Sequence, residues 1–233
     1  MKKILSIKNL MRFIFSTFII LIIYISVRIF LAPSVAPASE ITVRVKSDYI
    51  LMLLQCFAGA LAMWALGFLK HRVRLNIPSA MIIIYVIFLY CAIYLGEVRN
   101  FYYIVPHWDT MLHTFSGAAL GALGFSLVSL MNKYKPVYFS LSPGFVALFA
   151  FCFALALGVL WEIYEFSVDY LLHTNMQKYA IETGKLLIGQ EALIDTMKDL
   201  IVDTIGAFAM SIVGYISLKY NKGWLDRFHI KRA

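Results

Sequence analysis

Six stretches of this sequence, near 12–31, 49–69, 79–97, 110–131, 144–166 and 199–219, are each long, nearly uninterrupted runs of apolar side chains. A helix of about 20 residues crosses about 30 Å of hydrocarbon, so each run is long enough to span a membrane. The whole chain of 233 residues is 61% hydrophobic and only 15% charged, whereas soluble domains carry about 25% charge. The expected fold is therefore all-α: a polytopic membrane protein, a bundle of six transmembrane helices forming one membrane domain over 1–233.

The basic residues set the expected orientation. Lys2, Lys3, Lys8, Arg12, Lys70, Arg72, Arg74, Lys133, Lys135, Lys219, Lys222, Arg227, Lys231 and Arg232 fall on one side, fourteen of the 21 basic residues. The positive-inside rule then puts both termini and the second and fourth loops in the cytoplasm, as in a multi-pass protein of the cell membrane. Reporters fused after Lys135 and Lys222 should read as cytoplasmic, and one placed within 174–190 as external. An external signal at Lys135 would contradict this topology. The net charge of +8 is no sign of nucleic-acid binding, because the basic residues flank apolar runs, where they serve topology and contact with anionic lipid.

The first run follows a basic start and precedes Ala32-Pro33-Ser34-Val35-Ala36-Pro37-Ala38, as a cleaved signal peptide would. It is longer than the usual apolar core of such a peptide, which favours an uncleaved span. The alternating Ile41-Thr42-Val43-Arg44-Val45 reads as an extended piece of the first outer loop. The segment 168–198 is too interrupted for a seventh span and reads as an outer, lid-like connection. Gly117, Gly121 and Gly124 recur on the fourth span, and Gly206-Ala207 on the sixth, which predicts close helix approach. Cys56, Cys91 and Cys152 lie within spans without ligand-like spacing and read as packing residues.

Ionisable side chains gather at three span ends, where charge is costly. Asp109 and His113 share a helix face one turn apart, as do Asp195, Asp199 and Asp203, while Glu162, Glu165 and Asp169 follow one another on a third helix. All three ends fall on the expected outer side. Asp109, His113, Glu162, Glu165, Asp199 and Asp203 are the candidate catalytic residues, and His113, Glu162 and Asp203, about a turn deeper, the candidate ligands of a divalent metal ion. Carboxylates suit hard cations and a histidine admits zinc or manganese. The same acids can run acid–base chemistry or relay ions. Asp109, Asp195 and Asp199 can equally be solvated helix ends that complement the helix dipole. Trp108 and Trp161 fit an interfacial aromatic belt, and His107 and His173 fit loops. The sequence contains no His-Glu-x-x-His, phosphate-loop or dinucleotide fingerprint. Ser116 near His113 does not by itself make a nucleophile–base pair.

The runs Trp108-Asp-Thr-Met-Leu-His113-Thr-Phe-Ser-Gly117, Trp161-Glu-Ile-Tyr-Glu165-Phe, Asn175-Met-Gln177 and Gly189-Gln-Glu-Ala-Leu-Ile-Asp-Thr-Met-Lys-Asp199 occur in order. With them the chain resembles the YjdF-like family of uncharacterised bacterial membrane-spanning proteins over about residues 79–219. That resemblance implies a fold and a location, and no reaction. More distantly the chain is similar to the VanZ-like proteins, associated with glycopeptide-antibiotic resistance in the cell envelope. Asp109, His113, Glu162, Asp199 and Gly206 match that pattern, whereas Glu165 stands where it has Gln and Asp203 where it has Asn.

Three functions fit these features. The first is a metal-assisted enzyme acting on an envelope lipid or lipid-linked precursor, with membrane lipids as its surroundings. The second is an ion- or proton-coupled transporter, which the absence of intramembrane acids on the cytoplasmic side disfavours. The third is a non-catalytic structural protein of the envelope.

Overall fold

The computed structural model describes residues 7–34, 44–72, 75–134, 141–181, 185–225, 228 and 230–232, without the side chains of 71, 132–134, 231 and 232. Its helices are α1 (Ile7–Leu31), α2 (Lys46–Arg72), α3 (Ser79–Leu89), α4 (Phe101–Ile104), α5 (Trp108–Tyr134), α6 (Pro143–Leu172) and α7 (Gln190–Lys219). A π-helical stretch, Tyr90–Val98, continues α3. Among the described residues, six helical segments are long and apolar enough to cross a membrane: Ile7–Leu31, Lys46–Lys70, Ser79–Val98, Trp108–Met131, Pro143–Leu172 and Gln190–Lys219. The only paired strands among the described residues are β1 (Leu75–Asn76) and β2 (Lys231–Arg232), antiparallel and two residues each.

Helix continues beyond the apolar runs at several ends. The α6–α7 connection is 173–189, shorter than the 168–198 expected from hydropathy, because α6 extends to Leu172 and α7 begins at Gln190. The first three turns of α7 carry Glu191, Asp195 and Lys198, which suit a helix but not an apolar run. The extended piece expected at Ile41–Val43 lies outside the described residues, and Arg44 and Val45 lead directly into α2. There Asp48 Oδ2 accepts the Val45 amide at 2.8 Å, a third-position acid satisfying the amide just before the first turn.

The chain forms two compact units. The first comprises the described residues of Met1–Gly67, Tyr85–Trp108 and Ile163–Thr196. Within it Gly59 of α2 leaves room for Phe18 of α1 and Ile93 of the π stretch, and Phe18, Ile25 and Cys56 are fully buried. The Arg28 guanidinium donates to the Tyr49 hydroxyl at 2.8 Å, and Arg44 donates to the Val98 carbonyl at 3.0 Å, closing the end of the π stretch.

Also in this unit, Asp169 organises the turn that leaves α6. Its Oδ1 accepts the Thr174 hydroxyl at 2.6 Å and the Met176 amide at 2.8 Å, and its Oδ2 the Gln177 amide at 2.9 Å. Asn175 clasps both backbone groups of Ala180, and the Gln177 amide donates to Thr196 Oγ1 at 2.9 Å. Asn175 and Gln177 thus hold the connection in place. An Ala180–Leu186 bridge draws its two limbs together.

The second unit comprises the described residues of Phe68–Ile84, Asp109–Glu162 and Met197–Ala233. The small residues of α5 face α7 and α6, as their spacing predicts. A Cβ on Gly117 would strike the Asp203 backbone carbonyl, one on Gly206 the Thr114 carbonyl, and one on Gly124 the backbone of Ala150. Phe125, Val128, Val146, Ala147, Ala150 and Leu225 form a buried core cluster. The tail after α7 joins it through the Ile230 amide, which donates to Ser126 Oγ at 2.8 Å.

Candidate functional site

The backbone crossing of α5 and α7 at Gly117 and Gly206 sets their relative depth, and with it the polar site of the second unit. One turn before Gly117, the His113 ring meets α7 with both nitrogens. Nδ1 lies 3.3 Å from Asp203 Oδ2, and Nε2 lies 3.8 Å from Asp199 Oδ2 and 3.8 Å from Asp109 Oδ1. Asp199 and Asp203 are one helical turn apart, about 5.4 Å, and each reaches a different ring nitrogen. Both are almost fully buried, 2% and 3% exposed.

These contacts differ in kind. The Nδ1–Asp203 separation is that of a long hydrogen bond, and it favours the tautomer with the proton on Nδ1. Asp203 is itself held: Ser116 Oγ donates to its Oδ1 at 2.9 Å. A Cβ on Gly158 of α6 would come within 2.8 Å of Asp203 Oδ2, so only glycine leaves the carboxylate its place. The two 3.8 Å separations at Nε2 are too long for hydrogen bonds. They are of the size that two ligands of one ion span, since nitrogen and oxygen donors sit about 2.0–2.2 Å from a metal such as zinc.

One donor atom each from Asp109, His113 and Asp199 lies within 4.8 Å of the others, a set able to hold a metal ion. Asp203, at the opposite ring nitrogen, stands where a carboxylate commonly accepts the other N–H of a metal-binding histidine.

Of the six residues expected as catalytic, the second unit therefore contains Asp109, His113, Glu162, Asp199 and Asp203. Glu162 is buried at 5% exposure on α6, one turn after Gly158. Glu165 belongs to the first unit, and so does Asp195. Of the expected ligands His113, Glu162 and Asp203, only His113 is among the three residues whose donors converge; Asp203 contacts its opposite ring nitrogen. His107 and His173 are loop residues with positive φ, 60° and 53°. Trp161 is exposed, whereas Trp108 packs edge-on against Phe101 with ring centroids 5.0 Å apart. Two contributors are less visible in the sequence. Ser116 is readable only as a small packing residue near His113, and Gly158 lies in an apolar run where its sole signal is its place four residues before Glu162.

A family model described as "Predicted membrane protein (DUF2238)" matches residues 18–220. An uncharacterised protein of Thermotoga maritima is 31% identical over 122 residues, which are 52% of this chain and 54% of that protein. The match thus spans about half the length of that curated relative. No solved structure matches.

Proposed function

We propose, from the premise that this chain belongs to the DUF2238 family of predicted membrane proteins, that its second unit binds a divalent cation on Asp109, His113 and Asp199. The ion serves a hydrolytic or group-modifying step on an envelope lipid or lipid-linked precursor. The observation that carries this reading is the division of labour at His113: Asp203 at Nδ1, and the donors of Asp109 and Asp199 at hydrogen-bond-exceeding distance around Nε2. The donor chemistry, one nitrogen and two carboxylates, suits zinc or manganese better than calcium.

Asp109, His113 and Asp199 would hold the cation, which when bound would supply Lewis-acid chemistry toward a phosphoryl or carbonyl oxygen or a water. Glu162, buried one turn from the Asp203–Gly158 contact, is the acid assigned to proton transfer in this reading. In this reading the cluster faces the outer side of the cell membrane, the side that the positive-inside rule expects for it.

The test uses the purified full chain in detergent, stripped with chelator and titrated with Zn2+ or Mn2+ by calorimetry. One ion per chain is expected for the parent. His113→Ala and Asp199→Asn should each weaken binding at least 100-fold while eluting as the parent does in size exclusion. Parent protein that binds neither ion saturably would rule the reading out. Metal-loaded parent incubated with a bacterial lipid extract should then yield a released or altered headgroup by mass spectrometry, absent in His113→Ala.

A further inference from the structure

The end of α6 has two chemically different sides. Asp169 is buried at 6% exposure, whereas Phe166, Tyr170 and Leu171 are 58%, 73% and 70% exposed. These three occupy the last two turns of a helix long and apolar enough to cross a membrane. Apolar side chains exposed there meet lipid, at the headgroup level that tyrosine favours.

A groove of about 600 Å³ opens between this surface and the turn that follows. Phe166, Tyr170 and Leu171 of this exposed surface line it together with Asp169, His173, Gln177 and Tyr179. Its volume is that of a small-molecule site. The Phe166 and Tyr170 rings stack with centroids 6.3 Å apart, forming one continuous aromatic wall.

Charge then selects the occupant. The Asp169 carboxylate is fixed by the Thr174 hydroxyl and the Met176 and Gln177 amides. These three donors are neutral, and together they orient the carboxylate. No lysine or arginine is among the described residues lining the groove. Burial, and then the Asp169 charge, push the Tyr179 phenol above its ordinary value, so it stays a neutral hydroxyl. A fixed carboxylate behind aromatic rings attracts an ammonium group through both the charge and the ring faces. An anionic headgroup would meet repulsion there.

We propose that this groove binds a membrane phospholipid bearing a primary ammonium headgroup, with the ammonium toward Asp169 and the Tyr170 and Tyr179 rings. The glycerol and first acyl carbons lie along Phe166 and Leu171, continuous with the lipid-facing surface of the span. This site belongs to the first unit, and the proposed cation site to the second.

The full chain purified in detergent is titrated with phosphatidylethanolamine or phosphatidylglycerol of identical acyl chains, and retained lipid is counted by native mass spectrometry. Phosphatidylethanolamine should bind saturably and at least fivefold more tightly than phosphatidylglycerol. Tyr170→Ala, which removes an exposed ring, should abolish that preference without changing the thermal midpoint. Asp169→Asn keeps a carbonyl acceptor for the turn while losing the charge, and should abolish it as well. If Asp169→Asn does not fold, Tyr170→Ala decides alone. Equal retention of the two lipids by the parent, or an undiminished preference in Tyr170→Ala, would overturn the proposal. Zn2+ and Mn2+ binding, measured on the same variants, should be unchanged, so failure of either site is read separately.

Discussion

Gly206→Ala is expected to lower the thermal midpoint of the detergent-purified protein by on the order of 10 °C and to remove cation binding with it. The added Cβ would fall on the Thr114 carbonyl oxygen and against the Ala118 backbone nitrogen. Both obstacles are main chain within α5, so no side-chain rotation relieves the clash. The helices must separate, and overpacking of this kind costs about 1–3 kcal/mol, more where backbone must move. Separation also withdraws α7 from His113, because the reciprocal contact of Gly117 with the Asp203 carbonyl is part of the same crossing. Gly67→Ala and Gly144→Ala are the controls: a Cβ at either position meets nothing within 4 Å. They should melt within a degree or two of the parent. A Gly206→Ala protein as stable as these controls would show that the α5–α7 crossing is looser than the structure has it.

That crossing also marks where sequence reasoning reaches its limit. The spans are legible because about 20 consecutive apolar residues have few other uses. The small-residue stripe of α5 is legible because spacing alone places Gly117, Gly121 and Gly124 on adjoining positions of one helix. The roles of Asp199 and Asp203 are not. They lie one turn apart on the same face of α7, and their identical side chains give no hint which meets Nε2 of His113 and which Nδ1. Tertiary register decides it. Depth counted from the ends of apolar runs put Asp203 with the ligands and Asp199 nearer the boundary, because such counting starts α7 at 199. The helix begins at Gln190, so both acids lie well inside it. The π stretch Tyr90–Val98 had no sequence signature either, since its pattern of apolar residues reads as ordinary helix. Asp169 looked like a continuation of the Glu162–Glu165 face. Its three hydrogen bonds to residues 174–177 depend on a turn that only the folded chain displays.

Asp203→Asn separates a positioning role from a purely structural one. In the parent, Asp203 Oδ2 faces His113 Nδ1 at 3.3 Å, and Oδ1 accepts the Ser116 hydroxyl at 2.9 Å. Asparagine can satisfy the same pair: its carbonyl oxygen accepts the Nδ1 proton, and its amide donates to Ser116 Oγ. The serine then turns its own proton to the His113 carbonyl, already 2.8 Å away. Every polar atom keeps a partner, so Asp203→Asn should insert and melt as the parent does. What it loses is the negative charge that makes His113 a stronger ligand, and removing such a supporting carboxylate typically costs about 10–100-fold in metal affinity. A loss of that size at unchanged thermal midpoint is the expected result, measured by Zn2+ titration. Glu162→Gln provides the contrast, because Glu162 is not among the converging donors: cation affinity should hold within about threefold while turnover of lipid substrate disappears. Asp203→Leu should be less stable than the parent, since it leaves the His113 Nδ1 proton without its acceptor, at about 1–3 kcal/mol. If Asp203→Asn binds the cation as tightly as the parent, the carboxylate acts only in packing, and the division of labour at His113 fails as an account of the site.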